Sequence, residues 1–321
     1  MSTLPPMVLV APRPLRRPSS LAAAVPAGGE VLALLRGDAT ERPSFDPGLA
    51  GGLRAWLEDA AYGVVAHRGD LAPPLVLGPR EVLGTAPGGL GGMTVDGRAA
   101  DGWAADGLAP VAGGGVGVPD EVVVARLVHA LFRRLVTDGD IDDPLRDALD
   151  ALRAEGSSGT RTSAHVESMS EPARSVLGAV VARHVAHLVD LVPRFAPGWM
   201  PRTDDRVAIP LAGGRVVLHG VFDLLVGLPQ AGTASLCALG LSTGGSWARE
   251  RRSLHYLALL ETLRSGTPPF RLALLETASG RYGIEDVRAD HLRALASHLA
   301  AWLAGVARDR PDGGEAKVPC G

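Results

Sequence analysis

Asp223 is the one acidic residue inside an otherwise apolar stretch, VVLHGVFDLLV, that reads as a strand. A carboxylate in that setting either holds a cation or is hydrogen-bonded by its neighbours, because an isolated buried charge is costly. Downstream, the helix expected over Ser246–Arg264 carries Trp247, Leu254, Leu257, Ala258, Leu260 and Leu263 for packing and opens with WARERRSLHY. It supplies Glu250 as a second carboxylate, Arg249, Arg251 and Arg252 as cations able to touch phosphate, and Tyr256 as a hydroxyl. His219, four residues before Asp223 on the same strand face, reads as a surface histidine rather than a ligand. His184 and His187 lie three apart on a predicted helix; with no third ligand nearby in sequence, they read as helix-surface or interface histidines rather than a zinc site.

These residues depend on a strand-rich second half. RVAIPL and RVVLHGVFDLLVG, joined by Ala212-Gly213-Gly214, predict a hairpin. ASLCALGLS predicts a third, buried strand, and FRLALLET and RYGIEDV predict two more, split by Ser279-Gly280. Asp290–Val306 predicts a closing helix with Leu292, Leu295, Leu299, Trp302, Leu303 and Val306 on one face.

The first half is helical. DPGLAGGLRAWLEDAAYGVV places Leu49, Leu53, Trp56, Leu57 and Ala60 on one face, with Asp46 as N-cap and Pro47 at the first helical position. Asp120–Val136, Pro144–Arg153 and a longer helix from Glu171-Pro172 through Leu191 follow the same spacing. Pro74–Leu77 is strand-like, and residues 71–118 read as an insertion of short strands and loops. Their glycine runs, GGLGG and GGG, lack the following basic residue of a phosphate-binding loop. GSSGTRTSAH, Gly156–His165, predicts a flexible connection by composition. The expected fold is α/β, a mixed sheet flanked by helices with an N-terminal helical portion, in one domain over 46–306 with a flexible arm at 1–45 and a tail at 307–321.

With 321 residues, 46% of them hydrophobic, the chain can bury a sizeable core. Its net charge of -3 gives no whole-molecule attraction for nucleic acid, so such contact needs a local basic patch. Cys237 in a strand and Cys320 in the tail form no disulfide framework and fit a reducing cytoplasm. No apolar run reaches the roughly 20 residues that span a bilayer, and Met1–Ser20 lacks a signal-peptide core. The expectation is a cytoplasmic protein without membrane contact.

The hairpin LAGGRVVLHGVFDLLVG, the early helix DPGLAGGLRAWLEDA and the segment YLALLETLRSGTPPF after the glycine-rich turn resemble RecB-type PD-(D/E)XK nucleases of actinobacteria. The resemblance covers most of residues 45–306 and implies a restriction-endonuclease-like fold. It also implies a metal site built from an Asp on one strand, an acidic-x-Lys on the next and the following helix. On that pattern Asp223 is the metal ligand. With Thr243-Gly244 as anchor, Gly240 stands at the acidic position and Ser242 at the lysine position. A glycine adds no ligand beyond backbone, and a serine supplies no positive charge. Lys317, in the tail, is the only lysine in the chain. Arg252 takes the place of a glutamine often found in relatives, and Tyr256 is kept.

The resemblance therefore implies a catalytically impaired pseudo-nuclease with a nucleic-acid-binding or assembly role, in which Arg249, Arg251 and Arg252 would contact DNA. The alternative is an active DNA nuclease using Mg2+ or Mn2+, with Asp223, Glu250 as a migrated ligand, and Tyr256 in the catalytic set. Without activity no cofactor is expected. A third reading is a protein-interaction subunit that binds no nucleic acid.

Overall fold

The computed structural model describes residues 42–69, 72–84, 119–192, 195, 199–228 and 234–308. Its elements are α1 (Leu49–Arg68), β1 (Leu75–Leu77), α2 (Pro79–Gly84), α3 (Glu121–Asp138), α4 (Pro144–Ala154), α5 (Ser157–Ser168), α6 (Glu171–Leu191), β2 (Arg202–Leu211), β3 (Val216–Val226), β4 (Cys237–Ser242), α7 (Trp247–Ser265), β5 (Arg271–Glu276), β6 (Arg281–Asp286) and α8 (Ala289–Arg308). The fold is α/β, a mixed six-stranded sheet between helical layers. No helix among the described residues is long and apolar enough to cross a membrane.

The hairpin of β2 and β3 forms at the expected place. Ala212, Gly213 and Gly214 turn the chain with φ of 48°, 63° and 85°, a left-handed run that two glycines make accessible. The strands then pair antiparallel from Arg202 opposite Leu225 to Leu211 opposite Val216. On one side of the sheet, Leu53 and Leu57 of α1, Leu254 and Leu260 of α7 and Leu299 of α8 pack on Leu218, Phe222 and Leu272. On the other side, Leu127 and Leu131 of α3, Leu152 of α4 and Leu188 of α6 pack on Leu224, Leu239 and Leu275. Burying a leucine completely is worth roughly 1.5–3 kcal/mol, so each layer holds its face of the sheet firmly.

One edge of β3 is divided. β2 occupies its other edge, while this edge pairs with β1 in parallel at Val216–Leu218 and with β4 antiparallel at Leu224–Val226. Between them, His219–Asp223 has no strand partner on that side. The alternation of β3 also slips here: Phe222 joins the core under α7, and Leu224 joins the core under α3. Across the hairpin from this slip lies Asp204, a non-glycine residue with φ of 52°.

Side chains close the gap. The buried Tyr256 hydroxyl donates to the Leu77 carbonyl at 2.9 Å, tying β1 to α7. Gly220 lets α7 approach closely, because a Cβ there would stand 2.3 Å from Leu257 Cδ2. Further along, the Asp223 carboxylate takes over from the strand ladder by accepting the Leu241 amide at 2.7 Å.

Three expectations need correction. Gly156–His165 is no flexible connection: Ser157–Ser168 is the helix α5, held against its neighbours. Gly159 approaches the Leu152 carbonyl too closely for any side chain, and Arg126 donates to Thr162 Oγ1 at 2.7 Å. Small polar residues that composition assigns to a loop serve here as close-packing positions. Trp56, expected on the inward face of α1, is 43% exposed, and Ala61 and Val64 are buried along that face instead. Asp46 accepts the Gly48 amide at 2.9 Å, but the helix begins only at Leu49, so it shapes the turn before the helix. The expectations for residues 1–41, 85–118 and 309–321, among them the glycine runs and Lys317, lie outside the described residues.

Candidate functional site

Asp223 is held on two sides. Its Oδ2 accepts the Leu241 N–H from β4, and its Oδ1 lies 3.1 Å from Nδ1 of His129 on α3. Both side chains are 23% exposed, so the pair sits at the mouth of the divided edge rather than in the core. Burial alone would lower the proton affinity of His129. The Asp223 carboxylate reverses this through charge and hydrogen bonding and holds the imidazole above its ordinary pKa. Val128, Ala130, Leu131 and Phe132 beside it on α3 are buried and seat the helix, and one turn later Arg133 is engaged by Asp204 at 3.2 Å and by Glu155.

His129 is the site residue that sequence reasoning missed. It stands in VVVARLVHALF beside one other polar residue, Arg126, among apolar side chains, a weaker form of the signal that singles out Asp223. Nothing in the spacing links the two, because α3 reaches β3 only through the packing of separate layers.

Glu250, in the first turn of α7, lies in the field of the same group. Burial raises its pKa, Arg249 opposes the rise, Asp223 adds to it, and Arg80 and His129 oppose it. The structure thus brings Asp223 and Glu250 into one electrostatic neighbourhood. Of the three arginines expected beside them, Arg249 and Arg252 are exposed. Arg251 is turned inward: its Nε donates to Glu285 Oε1 at 2.9 Å, and a second nitrogen also meets that carboxylate. His255 completes the cluster with Nε2 2.8 Å from Glu285 Oε1. Burial would raise the Glu285 pKa, but the hydrogen bonds from His255 and Arg251 outweigh it and hold the carboxyl at about 2.

Tyr256 does not share this neighbourhood of charges. Its hydroxyl is spent on Leu77, and burial, with Glu81 adding to it, pushes its pKa well above the phenolic range. His184 and His187 also serve elsewhere, at the turn after β5. The Thr277 hydroxyl donates to the Ser242 carbonyl at 3.1 Å, so His184 Nδ1 carries the proton that Thr277 Oγ1 accepts at 2.8 Å. His187 Nδ1 donates to the Thr277 carbonyl at 2.7 Å. Burial, with Arg183 and His187 adding to it, lowers the His184 pKa and favours the neutral ring with its proton on Nδ1.

The groups at the divided edge do not fit a divalent ion. Hard cations take several oxygen ligands, and one or two carboxylates with open lone pairs are the least a protein contributes. Here one Asp223 oxygen accepts an amide and the other faces an imidazole. A side chain at Gly240 would meet Leu254 and Leu274 at 3.5 Å, so that position opens on apolar surroundings. The Ser242 hydroxyl donates to the Gly244 carbonyl at 3.2 Å. Among the described residues, no three His, Cys, Asp or Glu side chains converge as metal ligands. What the arrangement does support is a carboxylate engaged by an amide and an imidazole, with Arg249 and Arg252 exposed on the first two turns of α7.

Comparison of the chain with protein-family models and with curated proteins finds no match to either.

Proposed function

We propose that this protein is a nuclease-like scaffold of the RecB-type PD-(D/E)XK kind that no longer hydrolyses phosphodiesters and keeps a nucleic-acid-binding role. The observation that carries the reading is the engagement of both Asp223 oxygens, Oδ2 by the Leu241 amide and Oδ1 by the His129 imidazole. A hydrolytic site of this kind needs an open carboxylate pair and a nearby positive group to order the nucleophile. Here the carboxylate is closed, and Ser242 stands where the positive group would be.

Arg249 and Arg252, exposed on the first two turns of α7, supply the phosphate contact. Binding through so few cations is modest and electrostatic, and it weakens as salt displaces the protein from phosphate. Fluorescence anisotropy with single-stranded and duplex oligonucleotides at low salt tests this. Binding is expected to fall with added salt and to weaken several-fold in an R249A/R252A double variant. Equal binding by the double variant, or none by the unaltered protein, would refute the binding role and leave a protein-interaction subunit. Cleavage dependent on Asp223 would instead restore Asp223 and Glu250 as an active pair.

A further inference from the structure

We propose that β6 is a self-association edge, pairing antiparallel with β6 of a second copy of this chain about a twofold axis, so that one sheet runs through both copies. β5 holds one side of β6, and among the described residues no strand pairs with the other. The register with β5 fixes what that outer side presents. Val287 donates to the Phe270 carbonyl at 2.9 Å, one step beyond Asp286 opposite Arg271, and hydrogen-bonded pairs recur at every second residue of an antiparallel ladder. The backbone groups of Arg281, Gly283 and Glu285 therefore turn to β5, and those of Tyr282, Ile284 and Asp286 turn outward. Open edges commonly carry devices against pairing. β1 is only three residues long, and β2 carries Pro210, which has no N–H to give, and Asp204 with φ of 52°. β6 has no proline and no residue with positive φ.

A second copy fits this edge in one register. A twofold axis normal to the sheet keeps every side chain on its own face, so residues standing opposite one another differ by an even number of positions. With Gly283 on the axis, Tyr282 of each copy exchanges its outward hydrogen bonds with Ile284 of the other. Both side chains are partly buried against the core under α3 and α6, and the pairing continues that apolar face. On the α7 face, Arg281, which binds Glu276 and lies over Trp247, meets Glu285 of the second copy, itself bound to Arg251. Glu276, Arg281, Glu285 and Arg251 then form a row of alternating charge, repeated by the axis. Moving the axis to Ile284 sets Arg281 opposite Val287 and loses the row.

The test is sedimentation equilibrium of the purified full chain between about 1 and 300 µM, since so small an interface associates weakly. The weight-average mass is expected to rise toward twice that of the chain. I284P removes an outward donor and leaves the bonds to β5 in place, and it should weaken self-association at least roughly tenfold. R281E sets like charges opposite one another without touching the backbone; it should have the same effect, and it carries the test if I284P does not fold. Hydrogen exchange followed by NMR should show the Tyr282 and Ile284 amides slowed at high concentration relative to low, with those of Arg281, Gly283 and Glu285 protected at both. A single-chain mass across the whole range, a folded R281E that associates as tightly as the unaltered chain, or a dimer whose Tyr282 and Ile284 amides exchange as fast as in the monomer would each overturn the proposal. None of these readouts depends on nucleic acid, so they stand or fall apart from the proposed function.

Discussion

His129 Nδ1 and Asp223 Oδ1 lie 3.1 Å apart, joining a helix of one layer to the strand on which the sheet divides. The pair explains how an acidic residue is accommodated inside an apolar strand, where no set of metal ligands converges among the described residues. It also fixes what the neighbouring side chains are free to do.

Tyr256 bridges the gap that β1 and β4 leave along β3. Removing its hydroxyl strands the Leu77 carbonyl in a buried setting, which costs roughly 1–3 kcal/mol. Urea denaturation of Y256F should show a loss of about that size with an unchanged slope. A loss of that size together with unchanged nucleic-acid binding would place the tyrosine in the architecture alone.

The two glycines facing α7 should respond in opposite ways. A methyl group added at Gly220 would stand 2.3 Å from Leu257 Cδ2, so G220A forces the buried Leu257 side chain out of its place and should cost about 1–3 kcal/mol. At Gly240 the same addition meets only ordinary contacts at 3.5 Å, and G240A should be neutral or stabilising by up to about 1 kcal/mol. Thermal melts of both variants check the contrast, which also shows that the missing side chain at 240 is not demanded by packing.

Much of this architecture is legible in the sequence. The turn at Ala212-Gly213-Gly214, the strands on either side of it and the apolar faces of α3, α6 and α8 follow from local spacing and turn chemistry. Asp223 is legible as an anomaly, and Glu250 as a carboxylate that has to point back toward it. The helical state of Gly156–His165 is not legible, since its cause is close packing of Gly159 on α4. Nor is the partner of Asp223, because His129 reaches it through layer packing rather than sequence proximity. The inward turn of Arg251 has no local signature either: Glu285 lies two elements further on, and only sheet geometry brings it under α7.

The Glu285 cluster makes stability depend on acid. Its carboxyl is held at about 2 in the folded chain against an ordinary value of 4.5, so its contribution is full above about pH 4.5 and is lost as pH falls toward 2. That contribution is at most about 3 kcal/mol. E285Q should therefore be less stable near neutrality and show a flatter stability profile between those two pH values, measured by chemical denaturation across the range. A profile parallel to that of the unaltered protein would show that Arg251 and His255 are not bound to this carboxylate in solution.

The most direct test of the closed site is cleavage. Purified protein is incubated with single-stranded and duplex DNA in Mg2+ or Mn2+ beside a D223A control, and products are resolved at single-nucleotide length. With Asp223 closed by His129 and the Leu241 amide, the two proteins should give the same background. DNA cleavage by the unaltered chain that disappears in D223A would contradict a closed site.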